Sequence, residues 1–191
     1  MNQIFGYASG ILMMASAIPY IRDIFLLKTK PERATWLIWS FLQIIAFFSQ
    51  LAKGAEYSLF LTIGDTITVT TVFIISIKYG MGGLMKRDIW ALIGAGVSLF
   101  LWYLTKEPAV ALFIIIFIDL LGGMLTLIKS YENPESETMI SWMMAGFAGL
   151  LGTLAVGENN LILLSYPLYI CLLNFAVGFT VLLRKRKLVK I

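Results

Sequence analysis

The chain has no histidine, a single cysteine, five prolines and few charges: 14% of its 191 residues are Asp, Glu, Lys or Arg, against 59% in the apolar and aromatic set. Absence of histidine removes the commonest general base, proton shuttle and metal ligand together. A zinc or serine–histidine mechanism is therefore excluded, and neither a metal nor a cofactor is expected. Cys171 cannot form an intrachain disulfide and does not report the redox compartment. In its apolar run it reads as a small buried side chain. Soluble chains are usually about half apolar and a quarter charged, whereas the mean hydropathy here is +0.86. The composition is that of an integral membrane protein, with the lipid bilayer as its first partner. Because a helix takes about 20 apolar residues to cross, the chain has room for roughly six to eight spans and for no soluble domain.

What it has in place of charge is long apolar runs, bounded by charge, Gly or Pro, at 3–27, 34–52, 57–78, 88–104, 108–128, 138–155 and 160–183. Backbone groups in lipid must be satisfied within the segment, and the runs are too long and evenly apolar for barrel strands. The expected fold is an all-α integral membrane protein of seven transmembrane helices. "ASA" at 15–17 follows an apolar run as a signal-peptidase site would, but Met1 to Gly10 contains no Lys or Arg. A secretory signal normally begins with a positive region, so the segment is read as a retained first span. Of the 15 basic residues, all but Lys53 and Lys106 fall on the face that holds the first, third and fifth loops and the C-terminus. By the positive-inside rule the N-terminus is outside and the C-terminus cytoplasmic, in the plasma (inner) membrane. The basic "RKRK" tail is then a lipid-facing anchor, and no nucleic-acid partner is expected.

The stretch "KTKPERATWLIW" at 28–39 is echoed by "YENPESETMISW" at 131–142. One gap-free shift of 103 positions pairs Pro31 with Pro134, Glu32 with Glu135, Thr35 with Thr138, Trp39 with Trp142 and Gly54 with Gly157, and continues to Ile67 and Ile170. The chain thus reads as two copies of a three-helix unit, residues 1–80 and 106–185, joined by a linker span at 81–105 and followed by a basic tail at 186–191. Four spans separate equivalent helices, so the copies point the same way across the membrane, one of the two standard transporter arrangements. Locally the echo suits a helix start: Pro at the first helical position, Glu in the first turn, Asn133 as N-cap of the second copy. Trp39 and Trp142 are either interfacial belt residues or part of a pathway.

This pattern resembles the PQ-loop superfamily, which includes the SWEET and SemiSWEET sugar transporters, lysosomal amino-acid exporters of the cystinosin type and the KDEL receptors. Its first helices end in Pro-Gln followed by a short basic turn. "AIPYIRDIFLLKTKPERATWLIW" is similar, with Pro19-Tyr20 in place of Pro-Gln and Lys28-Thr29 in the turn, while Gly122-Gly123 stand at the aligned positions of the second copy. The resemblance implies a SWEET-like 3+1+3 fold with Pro19 and Gly122 or Gly123 as hinges. It also implies a substrate-facing asparagine in the third helix of each unit, matched by Asn174 but replaced by Thr71 in the first.

Counting 1.5 Å of helical rise per residue from the span ends, Ser16, Gln43, Thr71, Asp119 and Asn174 fall near the midplane, the depth of transporter sites between repeats. Asp119 is the sharpest of these, because an ionisable side chain in hydrocarbon is costly and faces a cavity or a partner. It is also the candidate proton carrier. Asp65, after Gly64, falls in the outer half of its span as a candidate outer gate. Its "GD" pair lacks the Gly-x-Gly-Asp pattern and the Tyr-Asp partner of intramembrane aspartyl proteases, so no enzyme is expected. Thr66, Thr68 and Thr70, and in the linker span Gly94, Gly96 and Ser98, read as helix-packing residues. The expected function is a facilitator or proton-coupled carrier of a small polar metabolite such as a sugar, amino acid or vitamin, with homo-oligomerisation left open. The rival is a non-transporting seven-helix receptor or adaptor on the same scaffold.

Overall fold

The computed structural model describes residues 1–31, 33–80, 82–83 and 86–188, and within these every side chain but those of residues 87, 88, 91, 125 and 188. Glu32 of the echoed motif and Lys190 of the tail lie outside the described residues. The chain forms α1 (Asn2–Phe25), α2 (Arg33–Ala52), α3 (Leu59–Tyr79), α4 (Lys86–Thr105), α5 (Pro108–Glu132), α6 (Met139–Val156) and α7 (Leu161–Leu188). Among the described residues, α1, α2, α3, α5, α6 and α7 are long and apolar enough to cross a membrane, and α4 contributes a shorter apolar stretch, Leu92–Thr105. Large apolar side chains such as Ile11, Phe48, Ile74, Phe100, Phe117, Phe147 and Leu172 point outward from all seven. In water such a surface would aggregate; against lipid it costs nothing.

α1 packs on α3 and α3 on α2, while α5 packs on α7 and α7 on α6; across the middle, α1 meets α6 and α2 meets α5, with α4 resting on α5 and α2. Helix direction alternates. The end of α2 meets the start of α5 through Lys53 Nζ and Glu107 Oε1, 2.8 Å apart. At the opposite end, Arg33 at the start of α2 donates to the carbonyls of Ser76 and Gly80, 2.9 Å each, satisfying groups that the last turn of α3 leaves open. There too Arg184 of α7 donates to Tyr131 O of α5, and Lys129 pairs with Glu137. The start of α1 and the end of α7 therefore lie at opposite ends of the bundle. The Arg33 end holds most of the basic residues and is called the basic end below.

Three features differ from the sequence reading. Pro134 opens a 3-10 turn, Pro134–Ser136, and α6 begins only at Met139 after Thr138, so Asn133 caps no membrane helix and makes no side-chain cap bond. The extra turn exists because Glu137 and Thr138 are drawn inward to partners described below. Side-chain capping is found instead at α5, where Glu107 accepts from Ala109 N at 3.1 Å and Pro108 occupies a position needing no N–H, and at α7, where Asn160 Oδ1 accepts from Ile162 N and Leu163 N. Gly96 faces open space, whereas Gly94 lets α4 approach Ile118 and Ser98 is fully buried.

Glycine is required where backbones touch. A Cβ on Gly64 would lie 2.6 Å from Gly10 O, and one on Gly10 2.6 Å from Phe60 O, so α1 and α3 meet main chain to main chain. The repeat mates Gly54 and Gly157 both adopt left-handed backbone, φ +85° and +73°, just after α2 and α6. Gly64→Val should lower stability by about 1–3 kcal/mol, since the obstructing atoms are backbone and cannot rotate away. Gly96→Ala should leave it unchanged or raise it by up to ~1 kcal/mol through helix propensity. Melting curves of the two variants in one detergent check both outcomes.

Candidate functional site

The inner faces of the helices carry narrow stripes at helical spacing: Met13, Ser16, Ala17 and Tyr20 on α1, Trp36, Trp39 and Gln43 on α2, and Asp65, Thr68, Val69 and Val72 on α3. From the other half come Asp119 of α5, Ser141, Trp142 and Ala145 of α6, and Ile170, Leu173 and Asn174 of α7. Between them lies a chamber, part of it open to the outside. It extends from mid-depth toward the basic end. The opposite half of the bundle is filled by a packed apolar plug that includes Leu42, Ile45, Ala46, Leu61, Leu112, Ile115 and Ala148. Lys53 and Glu107 lie at the far end of that plugged half.

Ser16, Gln43, Asp119 and Asn174 thus come together as the midplane reading expected, with Trp39 and Trp142 in the wall. Thr71 is half-buried and off the stripe; Thr68 takes its place and donates to Met13 O at 3.3 Å. Asp65 belongs to the chamber lining and not to an outer mouth. Pro19 lies inside an unbroken α1, and α5 is continuous through Gly122 and Gly123. A Cβ on Gly123 would press on Leu173 at 2.7 Å, and Gly122 sits beneath the Trp39 indole N–H. These two glycines admit neighbours, a packing role distinct from the hinge the sequence reading assigned.

Sequence reading missed the two residues that organise the polar lining. Tyr166 of α7, 2% exposed, donates its hydroxyl to Gln43 Oε1 and also lies 3.2 Å from Asp65 Oδ2. Tyr169, one turn on, donates to Asp119 Oδ2 at 2.5 Å. Among the described residues Asp119 accepts from Tyr169 alone, and Asp65 has only the Tyr166 hydroxyl, shared with Gln43, within reach, which leaves lone pairs free, since an ionised carboxylate offers about four acceptor sites. The signal was there to be read: tyrosines ordinarily sit at the membrane interface, and a Tyr-Pro-Leu-Tyr run several residues into a span is out of place. Pro167 between them has no N–H to give the carbonyl of Leu163, interrupting the α7 ladder beside the two hydroxyls.

At the basic end the chamber wall continues into a second polar cluster. Glu137, 4% exposed, accepts from Lys129 Nζ at 2.9 Å and from Trp142 Nε1 at 3.0 Å. Thr138, which begins α6, donates to Asp23 Oδ2 of α1 at 2.7 Å. These bonds tie the α5 end, the α6 start and the α1 end together and fix the Trp142 ring in the wall.

No family model, curated protein or solved structure matches the chain.

Tyr166→Phe removes the hydroxyl that satisfies buried Gln43 and should cost about 1–3 kcal/mol of stability; thermal melting of the purified variant in detergent measures it. At the other end of the bundle, Lys53 and the Ala109 N–H hold the Glu107 carboxyl below the usual glutamate range. A depressed folded-state value stabilises at pH above the unfolded-state value, and the contribution is lost as pH falls through the folded-state value. Glu107→Gln should therefore melt slightly below the wild type at neutral pH, and the gap should close on acidification past the glutamate range.

Proposed function

We propose that the protein is a SWEET-like 3+1+3 membrane carrier of a small polar metabolite. In this reading all seven helices cross the plasma (inner) membrane, with the N-terminus outside and the basic end in the cytoplasm. Residues 1–80 and 106–185 are two parallel units that rock about the chamber, α4 is the linker, and 186–191 is the cytoplasmic tail. The observation that carries the reading is a partly open chamber, lined by aromatic and polar side chains, that begins at mid-depth on the seam between the two halves. Two further facts support it. Exchanging α1 with α5, α2 with α6 and α3 with α7 carries the helix neighbour relations onto themselves: α1–α3–α2 becomes α5–α7–α6, and the α1/α6 seam becomes the α5/α2 seam. The loop glycines Gly54 and Gly157, equivalent under the same shift, share one backbone conformation.

With the plug at the Lys53 end, the structure corresponds to the inward-facing side of such a cycle, ligand reaching Asp119 and Asn174 from the basic end. Asp119 is the group through which a proton would be carried were transport coupled. Reconstitution into proteoliposomes tests the carrier reading: counterflow of at least one labelled solute from a panel of sugars, amino acids, amines and vitamins is expected. Gln43→Ala should reduce that flux about tenfold or more, the effect of losing ~1.4 kcal/mol of binding. Asp119→Asn should abolish any pH dependence of it. A solute that raises the melting temperature yet never crosses would make the protein a receptor on this scaffold.

A further inference from the structure

The chamber's charge is one-sided. Among the described residues its acidic and basic lining side chains are Asp65 and Asp119, both carboxyls, each within hydrogen-bond distance of one tyrosine hydroxyl and paired with no cation. At the basic end Lys129 is paired with Glu137, and Arg33 with the carbonyls at the end of α3. Two carboxylates in a low-dielectric cavity without a counter-charge form an arrangement that membrane proteins reserve for function.

The rest of the lining is chosen for the same kind of guest. Tyr20, Trp36, Trp39 and Trp142 line the chamber. Tyr20 lies 5.2 Å from Trp36, and Trp36 meets Trp39 edge-on at 5.1 Å between ring centroids, so the rings form a corner of differently inclined faces. Such a cage attracts a cation through the ring quadrupoles. An independent sign of an absent partner is Ser141. Only 7% exposed and part of the chamber wall, it carries a hydroxyl that no protein group among the described residues engages. A buried hydroxyl is ordinarily satisfied, and this one, in the chamber wall, has no partner among the described residues.

We infer that the chamber binds a small organic cation, a primary or quaternary amine bearing a hydroxyl or amide, with its charged head between Asp119 and the tryptophans and its polar end toward Ser141. The inference rests on the chamber's being the ligand site, and it narrows the substrate class of that site from polar metabolites in general to amines. An anionic guest would meet two carboxylates and no compensating group. A neutral sugar would leave both carboxylates without a counter-charge.

The test uses the full chain in detergent, with choline and its uncharged isostere 3,3-dimethyl-1-butanol as probes, followed by ethanolamine and glucose, and ligand binding read from the intrinsic tryptophan fluorescence and from melting temperature. Choline or ethanolamine should bind at least about tenfold more tightly than the isostere and than glucose. Asp119→Asn should lose that preference, while Asp119→Glu, which keeps the charge, should retain part of it. Trp39→Leu serves as a second variant that leaves the Asp119–Tyr169 bond in place, expected to weaken the cations about tenfold with less effect on the isostere. Equal binding of cation and isostere, tighter binding of glucose, or indifference of the cation to Asp119→Asn in a folded variant would overturn the inference. Proteoliposomes separate it from the carrier reading. Amine binding without flux leaves the inference standing and removes the carrier, whereas flux of a neutral solute with no amine binding does the reverse.

Discussion

A bilayer offers no water to buried polar groups, and that single constraint arranges this protein. Carboxylates within a span cost roughly 2.5–3.5 kcal/mol each on insertion scales, so α3 and α5 must turn Asp65 and Asp119 away from lipid. Both then need donors, and both find them on one helix, from Tyr166 and Tyr169 of α7. The spacing of three residues puts the two hydroxyls on one side of α7 about a turn apart. α7 is therefore fixed in rotation by two bonds reaching into different halves of the molecule. Gln43 of α2 joins the same set through Tyr166. The polar lining is a cross-link among four helices, and the rest of the bundle packs to suit it.

Small residues complete the arrangement. In lipid there is no hydrophobic gain from helix association, so close backbone approach carries more of the energy. α6 illustrates this: a Cβ on Gly149 would meet Cys171 N at 2.5 Å, and one on Gly146 the Phe175 ring at 2.6 Å. α2 is built in the opposite way, with Trp36, Trp39 and Gln43 on its inner face.

The spans were legible because apolar run length is dictated by membrane thickness: the helices begin and end within a few residues of the runs read from sequence, except that α5 and α7 continue past them at the basic end. The membership of the polar site was largely legible too, since depth follows from counting. Rotation does not follow from counting, and that is where the reading of Thr71 failed. Asp65, Thr68, Val69 and Val72 form one stripe at helical spacing; Thr71 stands about 100° round the helix from Val72. Asp65 was read as a candidate outer gate, and it lines the chamber together with Asp119. Tyr166 and Tyr169 escaped notice because tyrosine contributes little to an apolar run and their hydroxyls matter only once α3 and α5 are known to lie opposite.

Positions paired by the 103-residue shift are not uniformly alike. The residues are identical at Pro31 and Pro134 and at Gly54 and Gly157, and they differ both on the chamber, as at Ser16 against Asp119 and Gln43 against Gly146, and where backbones touch, as at Gly10 against Phe113 and Gly64 against Pro167. Close approach in α1 and α3 is therefore not reproduced residue by residue in α5 and α7. Trp39 and Trp142 are alike and both in the chamber wall. A π face serves either end of an amphiphilic cation, its charged head by cation–π attraction and its methylene groups by apolar contact.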